Sequence, residues 1–181
     1  MWKTHTATPP TRYAAPSAPR PNPPDENTKG DHMAIEDFRH STPLRVRWAE
    51  VDAQGIVFNG HYLLYADVCI TEYWRSIGVR YPVDVVDSFG VDFYVVKSTL
   101  EYHASARFDD ELDLRCRVAR LGRSSMRFII EMYRADEHLV TGEVIYVCAR
   151  PATSIATQTS APIPETLRER ILNFEVLKPE V

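Results

Sequence analysis

The sequence predicts an α+β domain, an antiparallel sheet packed on one long helix. Three observations carry this. The apolar stretch from Tyr62 to Gly78 is long enough for several helical turns and ends on a glycine suited to a helix C-terminus. The four runs after it are rich in Val, Ile, Phe and Tyr and alternate as half-buried strands do. The order of one strand, one helix and then four strands is that of α+β proteins rather than of repeating βα units.

The elements follow in chain order. Residues 1–40 are rich in Pro, Thr and Ala, as in Thr8-Pro-Pro-Thr11 and Pro21-Asn-Pro-Pro24. Such a segment buries too little apolar surface to offset its ordering entropy, so it is expected to be disordered, and Met33 offers an alternative start. The domain is expected over residues 41–176. Leu44, Val46 and Trp48 alternate with Arg45 and Arg47 and predict a half-buried first strand. The helix starts near Asn59 or Gly60. Its first half, Tyr62-Leu-Leu-Tyr-Ala66, is apolar nearly all round, which predicts a helix enclosed by the sheet with Leu64 buried. Tyr81-Pro82 closes that unit. A long strand is expected from Phe89 to Tyr102. In the next, Leu112, Leu114, Cys116 and Val118 share one face; in the third, Met126, Phe128, Ile130 and Met132 do. The last strand runs from Leu139 to Arg150. Leu121-Gly-Arg-Ser124 and Asp136-Glu-His138 make the hairpin connections. Pro162 to Phe174 reads as a short helix with Leu167, Ile171 and Leu172 at helical spacing.

Composition narrows the function. The chain has 181 residues, 44% of them hydrophobic and 25% charged, as in an ordinary globular protein. The net charge of −4 falls wholly outside the balanced first forty residues and gives no general affinity for nucleic acid. No apolar run is long enough for a transmembrane helix, so no integral membrane association is expected. Cys69, Cys116 and Cys148 are widely spaced in apolar runs, which predicts buried free thiols in a reducing cytoplasm. No Cys/His spacing matches a zinc site, and no metal or other cofactor is expected. There is no Gly-x-Ser-x-Gly elbow, phosphate-cradling Gly loop or dinucleotide fingerprint.

The chemistry concentrates in Asp52-Ala-Gln-Gly-Ile-Val-Phe-Asn-Gly-His-Tyr62. A carboxylate stands just ahead of a glycine turn, and the turn opens into the long helix. Helix starts carry unpaired N–H groups and partial positive charge, so they stabilise an oxyanion. A carboxylate beside such donors is the minimum equipment for attack on an acyl carbonyl. By position alone, Asp52 is more readily a turn aspartate bonding its own backbone.

The same residues resemble the 4-hydroxybenzoyl-CoA thioesterase-like proteins, hotdog-fold acyl-CoA thioesterases. The resemblance starts with Asp52-x-x-Gly-Ile-Val-Phe58 after a strand ending Arg45-Val-Arg-Trp-Ala-Glu50. It continues through Tyr62-Leu-Leu-Tyr-Ala-Asp67, Thr71-Glu-Tyr-Trp74, Ala106-Arg-Phe-Asp-Asp-Glu-Leu112 and Gly122-Arg-Ser-Ser125, over residues 42–150. It implies a hotdog fold, hydrolysis of an acyl-CoA to free acid and CoA, and a homodimer or homotetramer. It makes Asp52 the catalytic carboxylate, as nucleophile or as general base. Gly55, Val57 and Phe58 lead to the site, and backbone N–H groups near Asn59, Gly60, His61 and Tyr62 receive the thioester oxygen. Ser124 and Ser125 approach the partner subunit's site, and Arg123, Arg127 and Arg150 are candidates for the CoA phosphates. The sequence departs from the family where Asn59 follows the aromatic Phe58 and the histidine comes two residues later, so no family role is carried onto His61. A helix acid serves another branch of hotdog thioesterases and makes Asp67 the reserve candidate, while Glu72 is expected to pair with Arg75. The alternatives are a thioesterase acting on acyl-carrier-protein thioesters and a non-catalytic acyl-binding hotdog protein.

Overall fold

The computed structural model describes residues 35–151 and 159–181, so the expected disorder of the leader up to residue 34 lies outside the described residues. Strand β1 (His40–Arg45) is followed by helix α1 (His61–Ser76), helix α2 (Val83–Phe89) and strands β2 (Asp92–Tyr102), β3 (Glu111–Leu121), β4 (Ser125–Arg134) and β5 (Glu137–Ala149). Helix α3 (Glu165–Phe174) comes last. The five strands form one antiparallel sheet in the order β1-β3-β4-β5-β2. Helix α1 packs across β1, β3 and β4. This is the hotdog arrangement that the resemblance implies.

The alternating residues do what their period requires. Leu112, Leu114, Cys116 and Val118 of β3 and Met126, Phe128, Ile130 and Met132 of β4 are all buried. They meet the α1 stripe Tyr62, Tyr65, Ala66, Cys69, Ile70, Tyr73 and Trp74. Phe128 is central: its ring lies edge-on to Tyr73 at 5.2 Å and to Tyr146 at 5.8 Å. Leu167 and Ile171 of α3 join this core, and Leu172 is half-buried. All three cysteines are buried free thiols.

Several expectations need correction. The ordered chain begins before residue 41: Phe38 and His40 are buried, and His40 opens β1. It also continues past residue 176, where Glu180 lies along β3, its O accepting the Leu121 N–H at 2.8 Å and its N–H donating to Ala119 O at 3.0 Å. Strand β1 stops at Arg45. Trp48 lies beyond it in a 3₁₀ turn and is 75% exposed, its ring edge-on to Phe108. Phe89 belongs to α2, which the sequence reading passed over, and the strand proper starts at Asp92.

The largest correction concerns α1. It is not enclosed on every side in the single chain, since Leu63, Leu64 and Val68 are exposed, Leu64 by 55%. A helix lying on one sheet buries one stripe and leaves the opposite one open. Phe128→Ala is therefore expected to lower unfolding stability by about 3–5 kcal/mol, as removal of a fully buried aromatic does. Leu64→Ala should cost less than about 1 kcal/mol in the isolated subunit. Denaturant titration of the two variants checks the contrast, and equal losses would contradict this burial map.

Candidate active site

Asp52 heads a small hairpin formed by residues 50–58. Val51 and Val57 form an antiparallel bridge. Phe58 N–H donates to Glu50 O at 2.9 Å, and Asp52 N–H donates to Ile56 O at 2.9 Å. The turn closes with Gly55 N–H donating to Asp52 O at 3.0 Å, and Gly55 adopts φ +76°, where a glycine is favoured. Asp52 is half-buried, and its Oδ1 accepts the Gln54 N–H at 2.7 Å. Among the described residues, Oδ2 accepts no hydrogen bond. The turn role and an available carboxylate oxygen thus coexist in one side chain.

Both legs of the hairpin are tied to α1 from below. Tyr65 O–H donates to Glu50 Oε2 at 2.8 Å. Tyr62 hydroxyl accepts the Ala106 N–H at 2.9 Å, and Ala106 O accepts the Val57 N–H at 2.9 Å. Glu50, only 5% exposed, further accepts the Arg47 backbone N–H and Nε–H, each at 2.7 Å. Burial raises its carboxyl, but the Arg47 N–H, the Arg47 guanidinium and the Tyr65 hydroxyl together hold it below the usual carboxylate range. Burial, reinforced by the Glu50 charge, raises the Tyr65 phenol, which stays a donor. The sequence reading treated Glu50 only as a strand end. Its signal was Arg47 three residues earlier, the spacing of a local ion pair.

The start of α1 is free of side-chain caps and carries no acid in its first turn. His61 N–H donates to Phe58 O at 2.9 Å and Tyr62 N–H to Asn59 O at 3.4 Å. This narrows the expected oxyanion donors: among the described residues, the N–H groups without an acceptor just ahead of the helix are those of Asn59 and Gly60. Tyr62 itself is buried and serves the core. The Phe58 ring lies over Gly60, where an added Cβ would meet Cε1 at 2.9 Å, so the glycine is there to let the ring close down. His61 is half-buried, with its ring edge-on to Phe58 at 6.1 Å. Tyr102 O–H donates to Asn59 O at 3.1 Å and steadies the same loop.

The other predicted residues lie apart from this group. Ser124 O accepts the Cys148 N–H and Arg123 O the Ile163 N–H, each at 2.8 Å. Arg168 of α3 donates to Leu121 O and Gly122 O, so a residue the sequence did not flag pins this hairpin. Ser125 packs its Oγ against Gly122. Among the described residues, no hydrogen bond within the subunit joins Ser124 or Ser125 to residues 50–62. Arg127 faces Glu143 at 3.5 Å and Glu180 at 3.9 Å, which already balance its charge, so it is the weakest of the three arginine candidates. Arg123 and Arg150 are exposed. Asp67 is exposed on α1, and Glu72 pairs with Arg75 as expected.

Chain folding also brings together His40, Cys69 and Cys116, whose ligand atoms lie within 4.8 Å of one another. His40 and Cys116 are register partners across β1 and β3. Both His40 nitrogens have hydroxyl neighbours at 3.0 Å, Ser76 and Thr42, and the Cys116 thiol donates to the Cys69 carbonyl. Burial holds the Cys116 thiol well above its ordinary pKa. The trio is a hydrogen-bonded piece of core and does not include Asp52.

Comparison with known proteins bears on this geometry. A profile of the thioesterase superfamily matches residues 54–141, starting two residues after Asp52. The acyl-CoA thioester hydrolase YbgC of Escherichia coli is 30% identical over 110 residues, 60% of this chain and 81% of the relative. The putative esterase sll0410 of Synechocystis is 25% identical over 167 residues, 87% of this chain and 97% of the relative. Among solved structures, the hypothetical protein TT1821 of Thermus thermophilus superposes with a TM-score of 0.67 at 26% identity, over 75% of this chain and 99% of that one. Slr0204 of Synechocystis, a 1,4-dihydroxy-2-naphthoyl-CoA thioesterase, shares the fold at 17% identity with a TM-score of 0.64, over 73% of this chain and 94% of that one.

The Glu50 environment sets a pH dependence. A carboxyl whose folded pKa lies below its unfolded value stabilises the fold fully above the unfolded value, about 4.3. That contribution is lost as the pH falls through the lower folded value. The stability gap between the natural protein and Glu50→Gln should therefore be constant from pH 7 to about 5 and shrink below about 4. Chemical denaturation midpoints across that range check it, and a gap that widens in acid would contradict the assigned charge state.

Proposed function

The chain belongs to the thioesterase superfamily, and from that membership we propose that it hydrolyses acyl-CoA thioesters to the free acid and CoA, with Asp52 as the reacting carboxylate. The observation that carries the reading is the division of labour within Asp52. Oδ1 is held by the Gln54 N–H, while among the described residues Oδ2 accepts no hydrogen bond, and the Asn59 and Gly60 N–H groups at the start of the helix that follows have no acceptor.

Two routes use this arrangement. In one, the carboxylate attacks the thioester carbon, the C–S bond breaks to release CoA thiolate, and water then cleaves the acyl anhydride to regenerate Asp52. In the other, Asp52 takes a proton from water as that water attacks the carbonyl. In both, negative charge develops on the former thioester oxygen, where the helix-start N–H groups stabilise it. The net reaction consumes one water and needs no redox partner. The Phe58 ring closing over Gly60 supplies an apolar surface beside the reacting carbon.

The working form is a homo-oligomer in this reading. Strand β2 has β5 on one side and an open edge on the other, with Tyr94, Val95 and Val96 exposed along it. A long apolar edge strand is a pairing surface unless it is covered, and exposed Leu63, Leu64 and Val68 on α1 add apolar area that a second copy would bury. The three free thiols suit a reducing compartment such as the cytoplasm. Among the described residues, no helix is long and apolar enough to cross a membrane.

Asp52→Asn should lower kcat about 100-fold or more, as loss of a general base or nucleophile does, with folding and assembly intact. Thiol release from a panel of acyl-CoA and acyl-carrier-protein thioesters measures it. Normal turnover in the variant would overturn the assignment, and tight binding with no turnover by the natural protein would favour an acyl-binding role. Val96→Lys should shift the protein toward monomer in sedimentation velocity. An unchanged oligomer would exclude β2 as the pairing edge.

A further inference from the structure

We propose that Glu50 is a positioning residue for hydrolysis, fixing where Asp52 stands relative to α1; this rests on the reading of Asp52 as the reacting group. Glu50 lies two residues before Asp52 on the incoming leg of the hairpin, and its carboxylate is the junction of three structures. The turn before it contributes the Arg47 backbone N–H and guanidinium. The second turn of α1 contributes the Tyr65 hydroxyl. The outgoing leg contributes the Phe58 N–H, which bonds the Glu50 carbonyl at 2.9 Å. One residue thus ties the strand that delivers Asp52 to the helix whose start supplies the oxyanion donors.

The chemistry of the junction asks for an acid. Among the described residues, every hydrogen-bond partner of the Glu50 carboxylate is a donor: an N–H and an O–H on Oε2, and a guanidinium on Oε1. Glutamine would turn an NH₂ group toward one of these donors and leave it unmatched. A buried carboxylate is costly to desolvate, and packing alone would be served as well by an apolar side chain. What the carboxylate adds is direction, because its bonds fix the hairpin's position in the plane of the helix start. Catalysis is sensitive to that: a displacement of about 1 Å at a reacting group can cost on the order of 100-fold in rate.

The test compares Glu50→Gln, Tyr65→Phe, Asp52→Asn and the pairs Glu50→Gln/Tyr65→Phe and Glu50→Gln/Asp52→Asn, all as full-length protein. Steady-state hydrolysis of an acyl-CoA turned over by the natural protein gives kcat and KM for each. Glu50→Gln is expected to lower kcat about 10- to 100-fold with KM within about two-fold, since the acyl and CoA contacts are untouched. Tyr65→Phe keeps the ring and loses one bond, and should lower kcat about 5- to 10-fold. The Glu50→Gln/Tyr65→Phe pair should be no slower than Glu50→Gln alone, because both act through one junction. Adding Glu50→Gln to Asp52→Asn should cause no further loss of the residual rate, a result that general loosening of the fold would not give.

Normal kcat in Glu50→Gln and Tyr65→Phe beside a dead Asp52→Asn overturns this proposal and leaves the catalytic reading standing. A further fall when Glu50→Gln is added to Asp52→Asn also overturns it. Normal turnover in Asp52→Asn overturns the catalytic reading and this proposal together. Should Glu50→Gln fail to fold, Tyr65→Phe decides alone: an unchanged kcat is against positioning, and a fall in kcat at constant KM supports it.

Discussion

The rest of this structure depends on how α1 satisfies buried polar groups near its N-terminal end. Two tyrosines one helical turn apart, Tyr62 and Tyr65, place their rings in the core 5.7 Å from each other and send both hydroxyls out to a loop. One accepts a backbone N–H from Ala106; the other donates to Glu50. A buried hydroxyl or carboxylate without a partner would cost several kcal/mol. The loop has therefore a strong reason to sit where it does, and a short hairpin with little core of its own becomes as well located as the helix beneath it. A site on a loop needs such a scaffold if its carboxylate is to meet donors from another element.

The same helix explains why one chain looks unfinished. An amphipathic stripe of Tyr, Cys, Ile and Trp faces the sheet, yet the first turns of α1 carry leucines on the other side as well. Strand β2 repeats the pattern, with Phe93 buried while Tyr94, Val95 and Val96 face out. Apolar groups left open on both a helix and a sheet edge are the features that the proposed oligomer would remove from water.

Much of this was legible in the sequence because periodicity reports burial directly. The faces of β3 and β4, the span of α1, the Glu72–Arg75 pair and the buried thiols could all be read from spacing. Where the reading failed, the cause was physical. Trp48 continues an alternation that the backbone does not, because the chain leaves the sheet at Arg45 and turns through Trp48–Glu50. Leu64 is apolar but lies outside the stripe that α1 turns to the sheet, so its apolar character does not report burial within the subunit. Helix α2 is too short for periodicity and rich in valine, yet Pro82 at its start, Asp84 in its first turn and Gly90 at φ +65° just past its end were the available signals. The C-terminal segment carries no pattern, since Glu175 works by reaching into the sheet, where Oε1 accepts the Val118 N–H beside the β3 bulge and the Tyr73 hydroxyl.

At Asp52, sequence offered two readings as alternatives, a turn aspartate or a reacting carboxylate. The geometry removes the opposition. A free aspartate ahead of a glycine turn would rotate about χ1 and lose entropy on meeting a substrate. Binding one oxygen to Gln54 N–H sets the rotamer in advance, and among the described residues the second oxygen accepts no hydrogen bond. In the proposed reaction, the turn bond is what would make the carboxylate a defined reactant. In the same way the glycine at 55 suits its φ of +76°, and the glycine at 60 lets the Phe58 ring lie against the backbone without shifting. Residues that look like ordinary turn chemistry one at a time together hold a flexible side chain in one orientation, which is what the proposed reaction asks of it.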